Sequence, residues 1–548
     1  MSIFKSKMPS LLQTSLRNPH HLSTAIYLSL LAMTLIVRTT LAAAVLNSYN
    51  LSSFTPPSQD VTLNRFVVHN RTGSIYVAAE KFLFRLGSDL QSLEGTGTSS
   101  CAEDDNCDDI TKILAISQGD AESLIICTSA EGKCEVRDLS DIEQVVHSSN
   151  IMVPGESAEL TAAGVITEVA QGGNLAEKFY LANTLSADVT MFTHPIIRWT
   201  VLDSFDQADE LNHYALGVSV NSFPISYKET FTHNGFVYFV MNQVGNVKLG
   251  RVCETARMEY YSEITLRCNS RNRPDTSYNM VQAARVGKAG PALQMSMGSG
   301  SGSILYGAFS ESDSVSSNAA LCMYSMTDVE AAFLQVVKDC LSVTQGARLS
   351  YLNGATCDEL ILPDDMLLGL VCSQERSFTY ANGIHPLVSS AAVEMSSHVP
   401  TSIVSAVVRN HTVAFIGTQE GDLLKVHVMS NTTGRLYETV PLGSTPILPD
   451  MYNEQDTSIL TANQQSLYRL PVADCARYST CGECIGEGGA GDDDPLSLYI
   501  GVHFNVSCHL PMFYYTELCA PAPPEKSCSI CKRGYNSATS VPTPRLPG

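Results

Sequence analysis

The amino-acid sequence predicts an all-β protein, a seven-bladed β-propeller with an inserted helical segment. Short β-rich runs recur as hairpins, helical periodicity is scarce, and 44% hydrophobic against 16% charged residues can bury a large core in 548 residues. The hairpins begin roughly 45 to 70 residues apart, which is the spacing of four-stranded propeller blades. An irregular pair of β-sandwiches is the alternative architecture for such a pattern.

Seven hairpins can be read from apolar strands joined by polar turns, one hairpin for each blade. The clearest is V-A-F-I-G-T-Q-E-G-D-L-L-K-V-H-V, in which a Gly-containing turn separates two apolar strands. The seven hairpins span Ile75–Leu86, Leu124–Val136, Phe179–Phe192, Phe236–Val252, Ile304–Met326, Val413–Val428 and Ile459–Leu470. Repeated blades solve the problem of exposed sheet edges, because each sheet packs against its neighbours.

The regular spacing breaks once, between the hairpins that begin at Ile304 and Val413. This interval contains the one well-formed helical pattern, from Thr327 to about Cys340, and Thr327 with Glu330 would form a capping box. Its apolar residues share one face: Val329, Phe333, Val336 and Val337. We therefore expect an insertion over about residues 310–400 that projects from one blade.

Residues 1–44 are typical of a signal peptide. Basic residues lead, the run Leu22–Val37 is apolar, and Ala42–Ala44 offers the small residues at which signal peptidase cleaves. A short membrane anchor is the alternative reading of this segment. No later run reaches the roughly 18 apolar residues of a membrane span, so the sequence predicts a secreted chain, or the extracellular part of a longer one.

Sequons and cysteines agree with export. Five N-x-Ser/Thr glycosylation sequons begin at Asn50, Asn70, Asn410, Asn431 and Asn505. Of the 17 cysteines, ten lie between Cys101 and Cys372 and seven between Cys475 and Cys531. An oxidising compartment favours disulfides, although an odd number leaves one cysteine over and ten cysteines allow hundreds of pairings.

Composition and motifs argue against several classes of function. A formal charge of −21 and a pI near 5.0 exclude non-specific binding to nucleic acids. The sequence contains no G-x-S-x-G, H-E-x-x-H or G-x-x-x-x-G-K-[ST] motif. Cys481-Gly-Glu-Cys484 resembles a redox or zinc pair, but no strand–helix context surrounds it, so structural bridging is favoured. We therefore predict neither an enzyme nor a cofactor or metal site.

Two segments resemble a known family. Val67–Leu90 (V-V-H-N-R-T-G-S-I-Y-V-A-A-E-K-F-L-F-R-L-G-S-D-L) resembles the first blade of plexin sema domains. Gly443–Met451 and Leu467–Ile485 resemble the last sema blade as it runs into a plexin PSI module. Semaphorins share the sema fold, but their equivalent segments usually look different. The resemblance covers about Val61 to Ile485 and is most specific at its two ends.

The resemblance implies a disulfide scheme and a domain order. The implied pairs are Cys101–Cys107, Cys127–Cys134, Cys253–Cys372, Cys268–Cys322 and Cys340–Cys357. The sema propeller would occupy residues 45–474, and a partial or atypical PSI-like module beginning with Cys475, Cys481 and Cys484 would occupy residues 475–519. No Trp follows Trp199, so the C-G-W-C-type element of a PSI module is missing. Residues 520–548 are expected to be a flexible tail.

The function that the resemblance implies is that of a semaphorin receptor ectodomain, acting in semaphorin–plexin signalling and in cell and axon guidance. Its propeller would meet the semaphorin propeller edge to edge through loops, and no contact residue is marked in the sequence. Co-receptors or another sema domain remain open as further partners, and membrane association would require a longer product. The alternatives are a semaphorin-like secreted ligand or another sema-domain receptor and, less favoured, a secreted redox enzyme.

Overall fold

The protein is described from a computed structural model of the chain. The structure describes residues 51–58, 60–97, 110–117, 122–129, 134–148, 161–171, 174–183, 196–200, 208–210, 225–243, 245–255, 260–298, 302–312, 317–352, 354–363, 366–367, 372, 378–408 and 410–473. Within these ranges no helix has both the length and the apolar character that crossing a membrane requires.

Strands dominate the described chain. In chain order they are β1 (Ser52–Phe54), β2 (Leu63–Val68), β3 (Ile75–Ala79), β4 (Phe82–Leu86), β5 (Ser92–Gly97), β6 (Thr111–Ser117), β7 (Ser123–Thr128), β8 (Cys134–Asp138), β9 (Val145–Ser148), β10 (Ala162–Gln171), β11 (Asn174–Asn183), β12 (Ile196–Thr200), β13 (Ala208–Glu210), β14 (Ile225–His233), β15 (Phe236–Gln243), β16 (Asn246–Cys253), β17 (Ser262–Asn269), β18 (Ser277–Tyr278), β19 (Met280–Lys288), β20 (Ser303–Ser310), β21 (Ala319–Ser325), β22 (Thr356–Cys357), β23 (Phe378–Thr379), β24 (Ala381–Asn382), β25 (Leu387–Ser390), β26 (Val393–Met395), β27 (Pro400–Val408), β28 (His411–Thr418), β29 (Asp422–Ser430), β30 (Thr433–Pro441), β31 (Ile447–Glu454), β32 (Ser458–Asn463) and β33 (Leu467–Pro471). The helices whose bounds lie within the described residues are α1 (Pro291–Met297) and α2 (Met326–Leu341).

Seven of the eight described sheets are the blades of a propeller, each with an antiparallel four-stranded core, and the eighth is the β22–β23 pair within the insertion. From the innermost strand outwards, blade 1 is β2–β5, blade 2 is β6–β9, blade 3 is β10–β13, blade 4 is β14–β17, blade 5 is β19, β20, β21 and β26, blade 6 is β27–β30, and blade 7 is β31, β32, β33 and β1. Each innermost strand contacts the innermost strand of the next blade, and β31 contacts β2. The ring therefore closes, and the predicted all-β propeller fold is confirmed.

The predicted hairpins are the second and third strands of the blades. Six of the seven match paired strands, from β3 with β4 in blade 1 to β32 with β33 in blade 7. The hairpin placed at Phe179–Phe192 is wrong in its second strand, because Phe179 lies opposite Trp199 of β12. The described strand that pairs with β11 on this side is Ile196–Thr200, and Phe192 lies outside the described residues.

The innermost strands all run through the disc in one direction. Early residues such as Tyr227 on β14 and Gln282 on β19 line one end of the central channel, whereas Thr232 and Val286, later on the same strands, line the other end. We call the face where these strands begin the start face and the opposite one the end face. Because neighbouring strands of a blade run in opposite directions, the turns that join the first strand to the second and the third strand to the fourth lie on the end face.

The insertion leaves blade 5 after β21 and returns to it at β26, so it spans residues 326–392. These limits are narrower than 310–400 because β21 and β26 are themselves strands of the blade. The inserted chain packs on blade 4, where β24 and β25 pair in parallel with β17 and cover its outer edge. An element of one blade thus extends the sheet of its neighbour and removes an exposed edge.

The helix of the insertion has the predicted buried face but not the predicted start. Its residues Val329, Phe333, Val336 and Val337 are buried in the core shared by blades 4 and 5. The capping box is wrong: α2 begins at Met326, so Thr327 lies inside the first turn. The Glu330 carboxylate instead accepts a hydrogen bond from the side-chain amide of Asn234 at 2.6 Å, which ties α2 to blade 4.

Candidate binding surface on the inserted segment

Disulfides fix the insertion to the propeller. Cys253, at the end of β16, is bonded to Cys372 in the insertion, with 5.6 Å between their Cα atoms. The bond between Cys340 and Cys357 joins the end of α2 to β22. The other bonds in the described chain are Cys268–Cys322, which links blades 4 and 5, and Cys127–Cys134, within the β7–β8 hairpin. These four pairs coincide with the pairs that the resemblance implies, whereas Cys101 and Cys107 lie outside the described residues.

A buried arginine also holds α2 against blade 4. Arg251 on β16 is only 1% exposed, and its guanidinium carbon lies 4.1 Å from the ring centre of Phe236 and 4.2 Å from that of Phe333. A cation between two aromatic faces is attracted by both rings, and the attraction is stronger away from water. Burial lowers the pKa of Arg251, opposed by the nearby Tyr238. No sequence pattern pointed to this contact, since its partners come from three separate elements.

A carboxyl group and two tyrosines form a third, fully buried link. Glu263 on β17 has no exposed surface, and the Tyr261 hydroxyl donates a hydrogen bond to its Oε1 at 2.9 Å. Tyr351 of the insertion donates to the same oxygen. Burial raises the pKa of Glu263, opposed by Lys248 and by the two hydroxyl donors. The insertion is therefore seated on blade 4 by a disulfide, a cation–aromatic stack and a polar network.

With its inner side fixed in this way, the insertion presents apolar side chains to solvent. We call the following four residues the insertion patch: Val343 (44% exposed), Leu360 (37%), Ile361 (92%) and Met366 (56%). All four belong to the inserted segment, in which the Leu360 backbone N–H donates to the Leu341 carbonyl at 3.0 Å and the Met366 N–H donates to the Pro363 carbonyl. Exposed large apolar side chains that are grouped in this way mark interaction surfaces more often than scattered ones do.

The surroundings of the insertion patch are acidic. Asp358 and Glu359 immediately precede Leu360 and are exposed, and the whole chain carries a formal charge of −21. Electrostatic complementarity directs such a surface toward a partner of opposite potential. The arrangement fits a protein that offers an apolar contact area bordered by lysine or arginine.

The described sequons share one face of the disc. Asn70 lies between β2 and β3, Asn410 between β27 and β28, and Asn431 between β29 and β30, and all three are exposed. These are connections from first to second or from third to fourth strand, so all three lie on the end face. Any glycans attached there would cover that face and leave the start face and the rim open. The remaining sequons, Asn50 and Asn505, lie outside the described residues, as do Cys475, Cys481 and Cys484.

The described part of the chain contains no group of three or more His, Cys, Asp or Glu side chains arranged to hold a metal ion. Its polar clusters instead connect blades. At the seam between blades 7 and 1, the Asp450 carboxylate accepts hydrogen bonds from the Arg65 guanidinium at 3.0 Å and from the Phe66 N–H at 2.9 Å. This seam is the point at which the ring closes.

Comparison with known proteins agrees with the architecture. A family model described as the Sema domain matches residues 281–454. Plexin-A4 of Danio rerio is 26% identical over 505 residues, which are 80% of this chain and 26% of the relative. A solved structure of the full extracellular region of plexin A4 has a TM-score of 0.66 at 23% identity and covers 80% of this chain and 48% of that one. Drosophila plexin A in complex with semaphorin 1b has a TM-score of 0.51 at 15% identity, covering 79% and 89%.

The closed seven-bladed ring and these matches define the described chain as a sema-type β-propeller. Its resemblance to the plexin family, already indicated by its first and last blades, is confirmed. The chain spans about a quarter of the length of the curated plexin relatives it matches. Residues 475–519, for which a PSI-like module is predicted, lie outside the described residues.

Proposed function

We propose that this chain is a plexin-type ectodomain that binds semaphorins through its sema propeller. The observation that carries the proposal is the complete ring, closed by its own N-terminal strand, whose fold is shared by a plexin solved together with a semaphorin. Such a propeller offers a broad rim of loops, and specific protein complexes typically bury about 800 Å² on each partner. Binding between propellers is therefore favoured over capture in a deep pocket.

The domain order supports a location outside the cell. A signal peptide over residues 1–44 would direct export, residues 45–474 would fold as the propeller, and residues 475–519 would form the PSI-like module before a flexible tail over 520–548. The disulfides of the described chain are stable in that compartment. As given, the chain would be secreted, whereas a longer product would display it on the extracellular side of the plasma membrane.

The insertion patch is the part of the described surface that best fits a semaphorin contact. Ile361 is 92% exposed, although its segment is anchored by a disulfide and a buried polar network, so little order has to be gained on binding. Rigid apolar anchors of this kind supply a large share of the energy in protein interfaces. Asp358 and Glu359 would then meet basic residues at the border of the contact.

The experiment measures binding of the secreted chain to a panel of immobilised semaphorin ectodomains by surface plasmon resonance. We expect saturable binding to at least one member, weakened at least about tenfold by Ile361→Asp. The matched control is Leu93→Asp, which changes an exposed apolar residue on the outer strand of blade 1 and should leave affinity unchanged. Absence of saturable binding to every member would overturn the proposal, and equal affinity of the Ile361 variant would place the contact elsewhere.

Sedimentation of the same sample separates the receptor from a semaphorin-like ligand. Semaphorin-type ligands usually dimerise through a sema face, so a tight homodimer that binds no semaphorin would favour the ligand interpretation. A monomer that binds semaphorin agrees with the receptor. A thiol–disulfide exchange activity lost on replacing Cys481 or Cys484, with folding intact, would instead favour the redox enzyme.

A further inference from the structure

The central channel is a second feature of the propeller with the dimensions of a binding site. Its larger cavity, of about 530 Å³, opens on the end face and is lined by the innermost strands of six blades. A smaller cavity of about 210 Å³ opens toward the start face. Pockets for small molecules usually measure about 300–1,000 Å³, so the larger cavity could enclose one small ligand.

A layer of charged side chains separates the two cavities. Arg65, Lys228, Glu229, Arg285 and Asp450 belong to the linings of both, so they lie where the cavities meet. Two ion pairs join adjacent blades here. Arg65 Nη1 lies 3.0 Å from Asp450 Oδ1, and Arg285 Nη1 lies 3.5 Å from Glu229 Oε1. Each pair connects a strand of one blade with a strand of the next.

Basic side chains outnumber acidic ones in this channel. Among the described residues of its larger cavity, four side chains are basic, Arg65, Lys112, Lys228 and Arg285, and two are acidic, Glu229 and Asp450. The lining thus carries two net positive charges, whereas the whole chain carries −21. Lys112 is only 5% exposed, so its ammonium group is held away from bulk water. A positive, enclosed site inside an acidic protein attracts a small anion and concentrates its field.

Both lysines of the channel lining lie at backbone irregularities. The pairing of β6 with β7 skips Lys112, and that of β14 with β15 skips Lys228, so each lysine is the extra residue of a β-bulge. Bulges redirect side chains and are frequent beside functional sites. Thr401, the skipped residue of β27, lines the smaller cavity, and its hydroxyl oxygen is buried without a hydrogen-bond partner among the described residues.

We propose that the central channel binds a small anion that carries two or more phosphate or carboxylate groups. Two bulged lysines and the arginine ends of two ion pairs would supply its charge-assisted hydrogen bonds. The mouth of the channel limits the size of the ligand: Asn70 lines it, and the Tyr452 hydroxyl donates to Asn70 Oδ1 at 2.8 Å. A glycan on this sequon would stand at the opening, which fits a small molecule better than a polyanionic polymer.

The titration of two lining groups predicts how binding depends on pH. Enclosure lowers the pKa of Lys112 to about 8, and the positive charge of Arg65 adds to this effect. Enclosure raises the pKa of Glu229 to about 7, with Arg285 opposing the shift and Asp450 adding to it. Below pH 7 the protonated carboxyl adds one net positive charge to the channel, and above pH 8 Lys112 loses its own. Both changes strengthen the binding of an anion as the pH falls.

The other groups that face Glu229 do not reverse this direction. The described charged or titratable residues on the surrounding strands are Arg65 on β2, Lys112 on β6, Lys228 on β14, Arg285 on β19, and Asp450 and Tyr452 on β31. Strand β10 contributes Ala162, Ala163, Gly164, Val165 and Ile166, which do not titrate. Burial raises the pKa of Tyr452, so its hydroxyl stays neutral at physiological pH.

The test is isothermal titration calorimetry on the secreted chain at constant ionic strength. Pyrophosphate and citrate are the probes for the phosphate and carboxylate classes, and inorganic sulfate, whose charge is constant over the range, is the probe for pH dependence. We expect one-site binding of pyrophosphate or citrate. We expect sulfate to bind at least about tenfold more tightly near pH 6 than near pH 9, because the channel loses about two positive charges over this range as Glu229 ionises and Lys112 is neutralised. Binding of one class alone identifies the chemistry of the ligand.

Variants distinguish the channel from the protein surface. Lys112→Gln and Lys228→Gln should each weaken binding by about tenfold, the loss expected of one charge-assisted hydrogen bond. The matched control is Lys288→Gln, since Lys288 is exposed at the end of β19, the strand that carries Arg285. Circular dichroism checks that each variant is folded. If Lys112→Gln does not fold, Lys228→Gln alone tests the contribution of a channel lysine to binding. No saturable binding of any probe, or equal weakening by Lys288→Gln, would overturn the proposal.

Discussion

The bond between Cys253 and Cys372 should contribute more to stability than any other disulfide of the described chain. It closes a loop with a sequence separation of 119, compared with 17 for the bond between Cys340 and Cys357. A crosslink lowers the conformational entropy of the unfolded chain, and the effect grows with loop length. The chain-entropy relation gives about 5 kcal/mol for the longer loop and about 3 kcal/mol for the shorter one.

The perturbation is a pair of double variants, Cys253→Ala with Cys372→Ala and, as control, Cys340→Ala with Cys357→Ala. Replacing both partners avoids adding a free thiol that could form a wrong disulfide. Both bonds lie on the insertion, so the control matches the local environment and differs mainly in the length of the closed loop. The free energy of unfolding should therefore fall about 2 kcal/mol further in the first variant than in the control.

The assay is guanidinium unfolding followed by far-ultraviolet circular dichroism under non-reducing conditions, with the slope of the transition compared between variants. An equal or larger loss in the control would refute the reasoning. It would show that the insertion is stabilised by its own closed loop and not by the bond to blade 4. Hydrogen exchange along α2 gives an independent readout, since release from blade 4 should lower its protection.

Three further changes test individual contacts by the same unfolding measurement. Gly421→Ala should lower the free energy of unfolding by about 2 kcal/mol or more, because φ is +85° at this position and an added Cβ would lie 2.6 Å from the Gly443 carbonyl oxygen. Unchanged stability of this variant would contradict the prediction. Arg251→Ala should lower the free energy of unfolding by about 3 kcal/mol or more and increase hydrogen exchange in α2, because it empties the space between two aromatic rings. A loss of stability without a change in the exchange of α2 would show that Arg251 does not act through that helix. The raised pKa of Glu263 means that its carboxyl group holds a proton more tightly in the folded state than in the unfolded chain. The stability of the wild type should therefore fall relative to that of Glu263→Gln as the pH rises above 4.5. Parallel curves of stability against pH for the two proteins would argue against this.

The sequence could predict the middle strands of the blades but not the innermost ones. Middle strands such as β3 and β28 are buried along their whole length, are mostly apolar, and are joined to the next strand by recognisable turns. Nearly every innermost strand instead has a bulge, as β14 has at Lys228 and β19 at Gln282. A bulge shifts the two-residue alternation by one position, so the periodicity that marks a strand is interrupted.

The charged layer of the channel could not be predicted from the sequence for a different reason. Its members come from separate blades, and Arg65 and Asp450 are 385 residues apart, so no local pattern connects them. The predicted start of α2 was wrong for a similar reason. Thr327 and Glu330 have capping-box spacing, yet Glu330 forms its hydrogen bond with Asn234 of blade 4, because a tertiary contact outweighs the local propensity.

Closure of the ring depends on contacts between the two ends of the propeller. Strand β1 pairs with β33 at the outer edge of blade 7, with Ser52 opposite Arg469, while Asp450 binds Arg65 at the inner edge of the same seam. Other blades are joined by continuous chain, but blades 7 and 1 are held together by these side-chain and strand contacts as well as by packing. Substitutions at this seam therefore act on the whole disc, including the channel at its centre, whereas changes on outer strands remain local. Removal of residues 1–44, the predicted signal peptide, would leave β1 intact, so export and ring closure would be compatible in the same chain.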